Sequence, residues 1–313
     1  MRSVLAFVSD RSDRSPLTPV IAALKEQGLR VGVMDADGNP DVPGDFDLCL
    51  LLGDRMETGC AAMAATGSQM PIAHIHGGEA SFGSFDNQIR DAITKLAHIH
   101  FVVAEPMRER LLALGEEPWR IHVVGAPGLD NLVNLPPRRP EKYFVVTYHP
   151  ATLVRDDGTW ALIQALERFP DYTVMWTGTN NDPGAAEVHS LFVGNGFEEV
   201  HFDPRQYLEA ARHAAAIVGN SSSGIIEAPT LEVPAVNVGP RQDGRLKGPS
   251  IIDCRAEASS IEYAIRCALE YDGPFTNPYG GPGASKKIAD VLSTIDLDGI
   301  MVKRWAIRRK WYS

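Results

Sequence analysis

Three carboxylates and an arginine stand where an enzyme could use them. Asp54 follows the apolar run DLCLLLG, Glu79 follows Gly77-Gly78 at the end of PIAHIHG, and Asp86 opens a helical pattern that carries Arg90 one turn later. Carboxylates gathered on one rim suit general acid/base work, because neighbouring charge and partial burial can hold one protonated while another stays ionised. Asp54 and Asp86 also fall where a first-turn or N-capping carboxylate would stabilise a helix with no chemistry involved. Glu79, set after two glycines, has no such simple structural use. A second set of residues suits an anion. In AIVGNSSSGIIEAP a strand ends at Val218, and Gly219, Asn220, Ser221, Ser222 and Ser223 lead to Gly224 at the mouth of a helix. Backbone N–H groups and hydroxyls there can meet a phosphate at the positive helix end, although a serine N-cap reads the same way. Glu227, one turn on, can accept from a ribose diol. His149, after the strand FVVTY, can donate to a phosphate, and RQDGRLKG brings Arg241, Arg245 and Lys247, as local positive charge or as a solvated loop.

The histidines His74, His76, His98 and His100 invite a metal reading. Strand alternation places the first two on one face of a strand and the last two on one face of another, with no cysteine or carboxylate at ligand spacing. Structural roles are expected for them, and no metal. Cys49, Cys60, Cys254 and Cys267 are too far apart for a Cys-x-x-Cys pair, and Cys49 and Cys254 read as apolar strand residues. The first strand-to-helix turn, SDRSDR, lacks a GxGxxG fingerprint, and neither a Walker A loop nor a GxSxG elbow occurs. These absences count against hydride transfer and P-loop ATP hydrolysis, and no cofactor is expected.

The elements that must position these residues alternate. In the first half, SVLAFVS, RVGVM, DLCLLLG, PIAHIHG, HIHFVVA and IHVVG read as strands separated by helices from Pro16, Met56, Asp86 and Pro106. The strands are apolar nearly throughout, as expected of a parallel sheet covered on both faces. NLPPRRPEKY then reads as a linker. A second series comes after it, with YFVVTYH, YTVMWTG, VHFD, AIVGNS and PAVNVG as strands and helices from Thr159, Pro183, Arg205, Gly224 and Ser259. Two Rossmann-like α/β domains result, residues 1–138 and 139–313, and 313 residues at about 150 per domain agree. Ligands of such sheets bind beyond the carboxyl ends of the strands, where the carboxylates, His149 and the serine run lie.

Thirty basic against forty acidic residues give a charge of −10, which argues against broad attraction to nucleic acid or anionic membrane. No apolar run approaches a membrane span, and Val4 to Val8 is too short and poorly flanked for a signal peptide, so the cytoplasm is expected. The tail VKRWAIRRKWYS reads as a final amphipathic helix packing its aromatic side chains on a domain, in preference to a nucleic-acid strip.

At HIHGGEASFGSFDNQIRDAITKLAHIHFVVAE, followed in order by VVGAPGLDNL, TYHPAT, GNSSSGIIEAP, RQDGR and NPYGGPGAS, the sequence resembles the UDP-N-acetylglucosamine 2-epimerase family, above all its hydrolysing branch. The resemblance implies two domains arranged as in GT-B glycosyltransferases with a cleft between them, a UDP-sugar as ligand, N-acetylmannosamine for sialic-acid-type sugars as product, and a homodimer. It implies catalytic roles for Asp54, Glu79, Asp86 and Arg90. His149 would contact phosphate, Ser221, Ser222 and Ser223 would form the diphosphate loop, Glu227 would hold the ribose and Arg245 would lie near the nucleotide. Arg11 and Asp13 fit an Arg-x-Asp pattern after the first strand. The chain departs from the pattern at Ser9-Asp10-Arg11 and Arg14-Ser15-Pro16, and has Asn87 and Asp91 where Glu and His are usual. Between VGVMD and DFDLCLLLGD it has only about ten residues where relatives carry a longer segment. The same chemistry on another nucleotide sugar such as a UDP-diacetamido-trideoxyhexose, a GT-B glycosyltransferase, and a non-catalytic nucleotide-sugar-binding module are the alternatives.

Overall fold

A computed structural model describes residues 1–36, 45–150, 153, 158–179 and 183–304. Of the tail 302–313, expected as an amphipathic helix, residues 305–313 lie outside the described residues. The chain divides into two compact units: residues 1–79, 86–131 and 279–313 in the first, and 80–85 with 132–278 in the second.

The first unit runs β1 (Ser3–Val8), α1 (Arg11–Glu26), β2 (Arg30–Asp35), β3 (Leu48–Leu52), α2 (Met56–Gly67), β4 (Ile72–Ile75), α3 (Asp86–Leu96), β5 (Ile99–Val102), α4 (Glu105–Ala113) and β6 (Ile121–Val123). Its strands form a parallel sheet in the order β2-β1-β3-β4-β5-β6. Alternation along β1 shows why nearly every strand residue is apolar. Val4 and Val8 join Leu17, Val20 and Leu24 on one face, while Leu5 and Phe7 join Ala61, Ala65 and Ile93 on the other. Both faces are cores, so neither can carry a polar side chain without cost.

The second unit runs β7 (Tyr143–Thr147), α5 (Thr159–Leu166), β8 (Thr173–Trp176), α6 (Ala185–Gly194), α7 (Pro204–His213), β9 (Ala216–Gly219), α8 (Ser223–Ile226), α9 (Ala228–Leu231), β10 (Ala235–Val238), β11 (Ile251–Cys254) and α10 (Ala258–Leu269). Its parallel sheet has the order β11-β10-β9-β7-β8. VHFD, expected as a strand, forms none; the residue before it, Glu199, makes one isolated bridge to Trp176. The strand on the far side is β11, which comes after β10 with no long helix between them.

The two sheets share one connectivity. In each, the chain steps from its first strand to one side, then returns to build outward on the other, leaving a switch point between β1 and β3 and another between β7 and β9. Loops leaving adjacent strands in opposite directions at a switch point open a crevice at their carboxyl ends.

The domain boundary differs from the single break expected after residue 138. The proline-rich stretch is fastened to the second unit: Arg138 Nη2 donates to the Ala214 carbonyl (3.2 Å), the Arg139 amide to His213 Nδ1 (3.0 Å) and the Glu141 amide to the His213 carbonyl (2.8 Å). The crossing therefore comes earlier, between Asn131 and Leu132. A last helix, α11 (Ala284–Thr294), returns to the first unit, where Ile288, Ala289 and Leu292 join the core beside α1. Asp130 caps it by accepting from the Gly283 and Ser285 amides. Arg120, fully buried, donates to the carbonyls of Ile300 (2.9 Å) and Val302 (2.9 Å) and secures the chain beyond α11.

Candidate active site

In the first unit the polar residues gather at the carboxyl ends of β3 and β4. Gly53 closes β3 with φ of +77° and places Asp54 in front of α2, whose N-cap is Arg55. Asp54 makes no cap there; its carboxylate accepts from Arg90 Nη2. Arg90 is fully buried on α3, and its Nη1 also donates to Asn87 Oδ1 (2.7 Å) and to the Glu79 carbonyl (2.8 Å). Three acceptors from three segments thus meet one rigid fork, which a planar guanidinium can satisfy and an ammonium cannot. Asn87, a departure from the family pattern, works as a neutral acceptor within that fork. Asp86 opens α3 one turn ahead of Arg90, so the two side chains rise from one face of the helix.

Glu79 is buried, and the turn before it explains how. Gly78 has φ of +80°, and a Cβ there would lie 2.5 Å from Leu111 Cδ1 and 2.8 Å from the Met107 carbonyl, so only glycine lets the turn press against α4. The Glu79 carbonyl takes a second guanidinium, Arg110 Nη1, while Arg110 Nη2 grips both oxygens of Asp91 at 3.0 and 3.2 Å. Asp91, the other departure on α3, therefore supports the Glu79 backbone. Its partner lies nineteen residues along the chain, so no local spacing announces the pair.

The histidines separate. His74 Nε2 donates to the Gly53 carbonyl (2.7 Å), and burial pushes its pKa down to about 3. His98 Nδ1 accepts the Ile72 amide (3.1 Å), with burial holding its pKa near 4. His100 Nε2 meets Glu116 Oε2 (3.2 Å); Glu116 is buried, yet hydrogen bonds from His100, Lys303 and Lys95 hold its carboxyl down at about 2. These three are structural, as expected. His76 differs from them and does not share a strand face with His74. The strand ends at Ile75, and His76 adopts φ of +69°, turning its Nδ1 onto Glu79 Oε1.

At the β1 end, Asp13 turns back to its own strand and accepts from the Ser9 amide (3.0 Å) and hydroxyl; burial raises its carboxyl pKa. Its observed work is to hold the strand-to-helix turn. The Arg11 side chain lies outside the described part of the structure. Asp10 and Arg55 pair at 3.4 Å, joining the loops after β1 and β3 at the switch point.

In the second unit the switch point between β7 and β9 carries the anion-type residues. Gly219 ends β9 with φ of +140°, and a Cβ on it would sit 1.9 Å from the Thr147 carbonyl, so no other residue fits. Asn220, buried, then joins the two loops. Its Oδ1 accepts the His149 amide and its Nδ2 donates to the His149 carbonyl, both at 2.7 Å. The Asn220 carbonyl accepts from Gln242 Nε2 (2.8 Å) and Arg241 Nη1 (3.1 Å). Asn220, in the run the sequence marks for an anion, and Gln242 thus set the site through partners distant in the chain.

Ser221 Oγ accepts from the Ser223 amide (3.4 Å), and Ser223 Oγ accepts from the Tyr207 hydroxyl (2.7 Å). Burial pushes the Tyr207 hydroxyl up to about 12, keeping it a donor. The helix expected from Gly224 starts at Ser223 and is two short ones, α8 and then α9 from Ala228, with Glu227 half-buried at the junction. Of the three cations in RQDGRLKG, Arg241 is directed to the Asn220 carbonyl and Lys247 pairs with Asp253 at 2.7 Å, while Arg245 sits half-buried where its amide meets the Gln242 carbonyl (3.3 Å).

Residues 44–293 match the family model for UDP-N-acetylglucosamine 2-epimerase. The chain is 33% identical over 246 residues to the polysialic acid biosynthesis protein P7 of Escherichia coli, covering 72% of this chain and 63% of that protein. It is 32% identical over 272 residues to a hydrolysing UDP-N,N'-diacetylbacillosamine 2-epimerase of Legionella pneumophila, covering 80% of this chain and 72% of the relative. The chain thus spans somewhat less than two thirds of the length of the first and somewhat more of the second. In fold it is similar to a Methanocaldococcus jannaschii UDP-GlcNAc 2-epimerase solved with UDP-GlcNAc and UDP, with a TM-score of 0.77 at 17% identity over 94% of this chain and 99% of that one.

Proposed function

From the premise that the chain belongs to the UDP-N-acetylglucosamine 2-epimerase family, we propose that it is a hydrolysing 2-epimerase converting UDP-N-acetylglucosamine to N-acetylmannosamine and UDP. In this reading the loop Ser221 to Ser223, His149 and Arg245 hold the diphosphate, and Glu227 accepts from the ribose. Asp54, Asp86, the Glu79–His76 pair and Arg90 form the proton-handling set. The reaction begins by anti-elimination: the C2 proton leaves, its bonding pair forms the C1=C2 double bond, and the C1–O pair departs on UDP. Water then adds its oxygen at C1 while C2 takes a proton on the opposite face, reversing its configuration. Stabilising the departing phosphate with preorganised donors lowers the barrier that a weak base leaves.

The observation that carries this reading is the Arg90 fork holding Asp54 and the Glu79 backbone together. A protein that only bound a nucleotide sugar would gain nothing from burying a guanidinium to hold a carboxylate in the unit without the serine loop. The resemblance to the Legionella enzyme, which covers the larger share of this chain, favours a second reading: the same chemistry on a UDP-diacetamido-trideoxyhexose. Incubation with each sugar in D2O, followed by NMR of the products, tests both. UDP release with an N-acetylmannosamine-type product deuterated at C2 is expected. Protium retained at C2 would refute the elimination, and turnover of the diacetamido sugar alone would select the second reading.

A further inference from the structure

His76 occupies a position that burdens the fold. A non-glycine residue in the left-handed region costs about 1–2 kcal/mol, and His76 takes that conformation at φ of +69° although it is not a glycine. The conformation is held by its amide, which donates to the Phe101 carbonyl (3.0 Å). What it achieves is to swing the imidazole off the strand face and set Nδ1 on the Glu79 carboxylate. The Glu79 backbone is fixed by Arg90 and Arg110 at its carbonyl, and its carboxylate is held by burial. Only 1% of the Glu79 side chain is exposed, against 15% of His76. The remaining ring nitrogen, His76 Nε2, has no hydrogen-bond partner among the described residues and is not among the sealed polar atoms, whereas the Nδ1 atoms of His74 and His100 are.

We infer that His76, through Nε2, is the base that takes the C2 proton, and that Glu79 is a positioning residue that fixes the His76 ring and tautomer. This rests on the elimination reaction proposed for the site. With Glu79 ionised, Nδ1 keeps its proton in the hydrogen bond and Nε2 presents its lone pair outward. The C2 proton passes to Nε2 as the C2–H pair becomes the C1=C2 double bond and the C1–O pair leaves on the β-phosphate oxygen. The imidazolium charge that forms is met at once by the Glu79 carboxylate. A free imidazole is a stronger base than a carboxylate, and abstraction at a weakly acidic carbon is the step where base strength matters most.

Full-length His76→Gln should eliminate UDP from UDP-N-acetylglucosamine about 10²- to 10⁴-fold more slowly, with its KM nearly unchanged. Added imidazole should restore part of the rate to His76→Ala. Glu79→Gln should also lower kcat, but imidazole should not restore it, since its ring is still present. Wild-type turnover by His76→Gln, or no rescue of a His76→Ala protein whose circular dichroism is native, would overturn the assignment. Nitrogen-15 NMR of the histidine rings gives a test independent of substrate. The neutral His76 ring should carry its proton on Nδ1 and lose that preference in Glu79→Gln; a proton on Nε2 in the wild type overturns the inference whatever sugar is used. Should the wild type show the Nδ1–H form but no turnover of UDP-N-acetylglucosamine, the substrate reading falls and the histidine–carboxylate pair stands.

Discussion

Mild acid should destabilise the first unit before its carboxylates titrate, because two of its histidines are buried in the neutral form. His74 is held at about 3 and His98 at about 4, each chiefly by burial, whereas both return to about 6.5 in an unfolded chain. Proton binding sets the sign. Below pH 6.5 the unfolded chain takes up protons that the folded one refuses, so stability is full above 6.5 and falls until the pH reaches the folded values. At pH 5 each histidine lies about 1.5 units below its unfolded pKa, and at about 1.4 kcal/mol per unit the pair costs about 4 kcal/mol. That is a large share of the roughly 5–15 kcal/mol of a typical domain. His100 and His122 are shifted in the same direction by burial and add to the loss, while Asp13, raised by burial, opposes it as its own range is approached. Urea unfolding at pH 7 and pH 5, followed by far-ultraviolet circular dichroism and by hydrogen exchange across β3 to β5, measures the difference. His74→Gln keeps a donor for the Gly53 carbonyl and removes one titration, so its loss should be smaller by about 2 kcal/mol. Equal stability of the wild type at the two pH values, or an unchanged loss in the variant, would refute the reasoning.

Asn220→Ala should cost about 1–3 kcal/mol, since the His149 amide and carbonyl each lose a buried partner; chemical denaturation checks this, and calorimetry should show weaker UDP binding. Arg90→Lys should lower turnover by about 10²-fold or more, because one ammonium cannot serve Asp54, Asn87 and the Glu79 carbonyl together. The same variant should bind UDP as the wild type does, which separates a catalytic loss from a failure to fold.

Much of this protein is legible in one dimension because the relevant physics is local. Strands buried on both faces are apolar at nearly every position, so LCLLL, IAHI and YFVVT declare themselves. The residues after such strands are the ones a parallel sheet presents to a ligand, which brings Asp54, Glu79, His149 and the serine loop into view before any coordinate. The ordered motifs extend that to the family. VHFD failed as a strand, and the helix at Gly224 breaks after one turn, because short apolar runs and serine-glycine turns fit several local conformations, and neighbours decide among them.

Pairing across distance required the tertiary structure. Nothing near Asp91 in sequence points to Arg110, nor anything near Asn220 to the carbonyl and amide of His149, since a hydrogen bond between loops depends on which strands lie side by side. The same holds for the domain boundary: the prolines of the linker mark a break in regular structure, but only the bonds of Arg138, Arg139 and Glu141 to the end of α7 and Ala214 decide which unit owns it. His76 is the clearest case. Alternation assigns it to a strand face beside His74, and a single backbone torsion of +69° removes it from that face and joins it to Glu79. Side-chain type is written in the sequence, but direction is set by φ and ψ, and those are chosen by the sum of contacts that the packed chain satisfies at once.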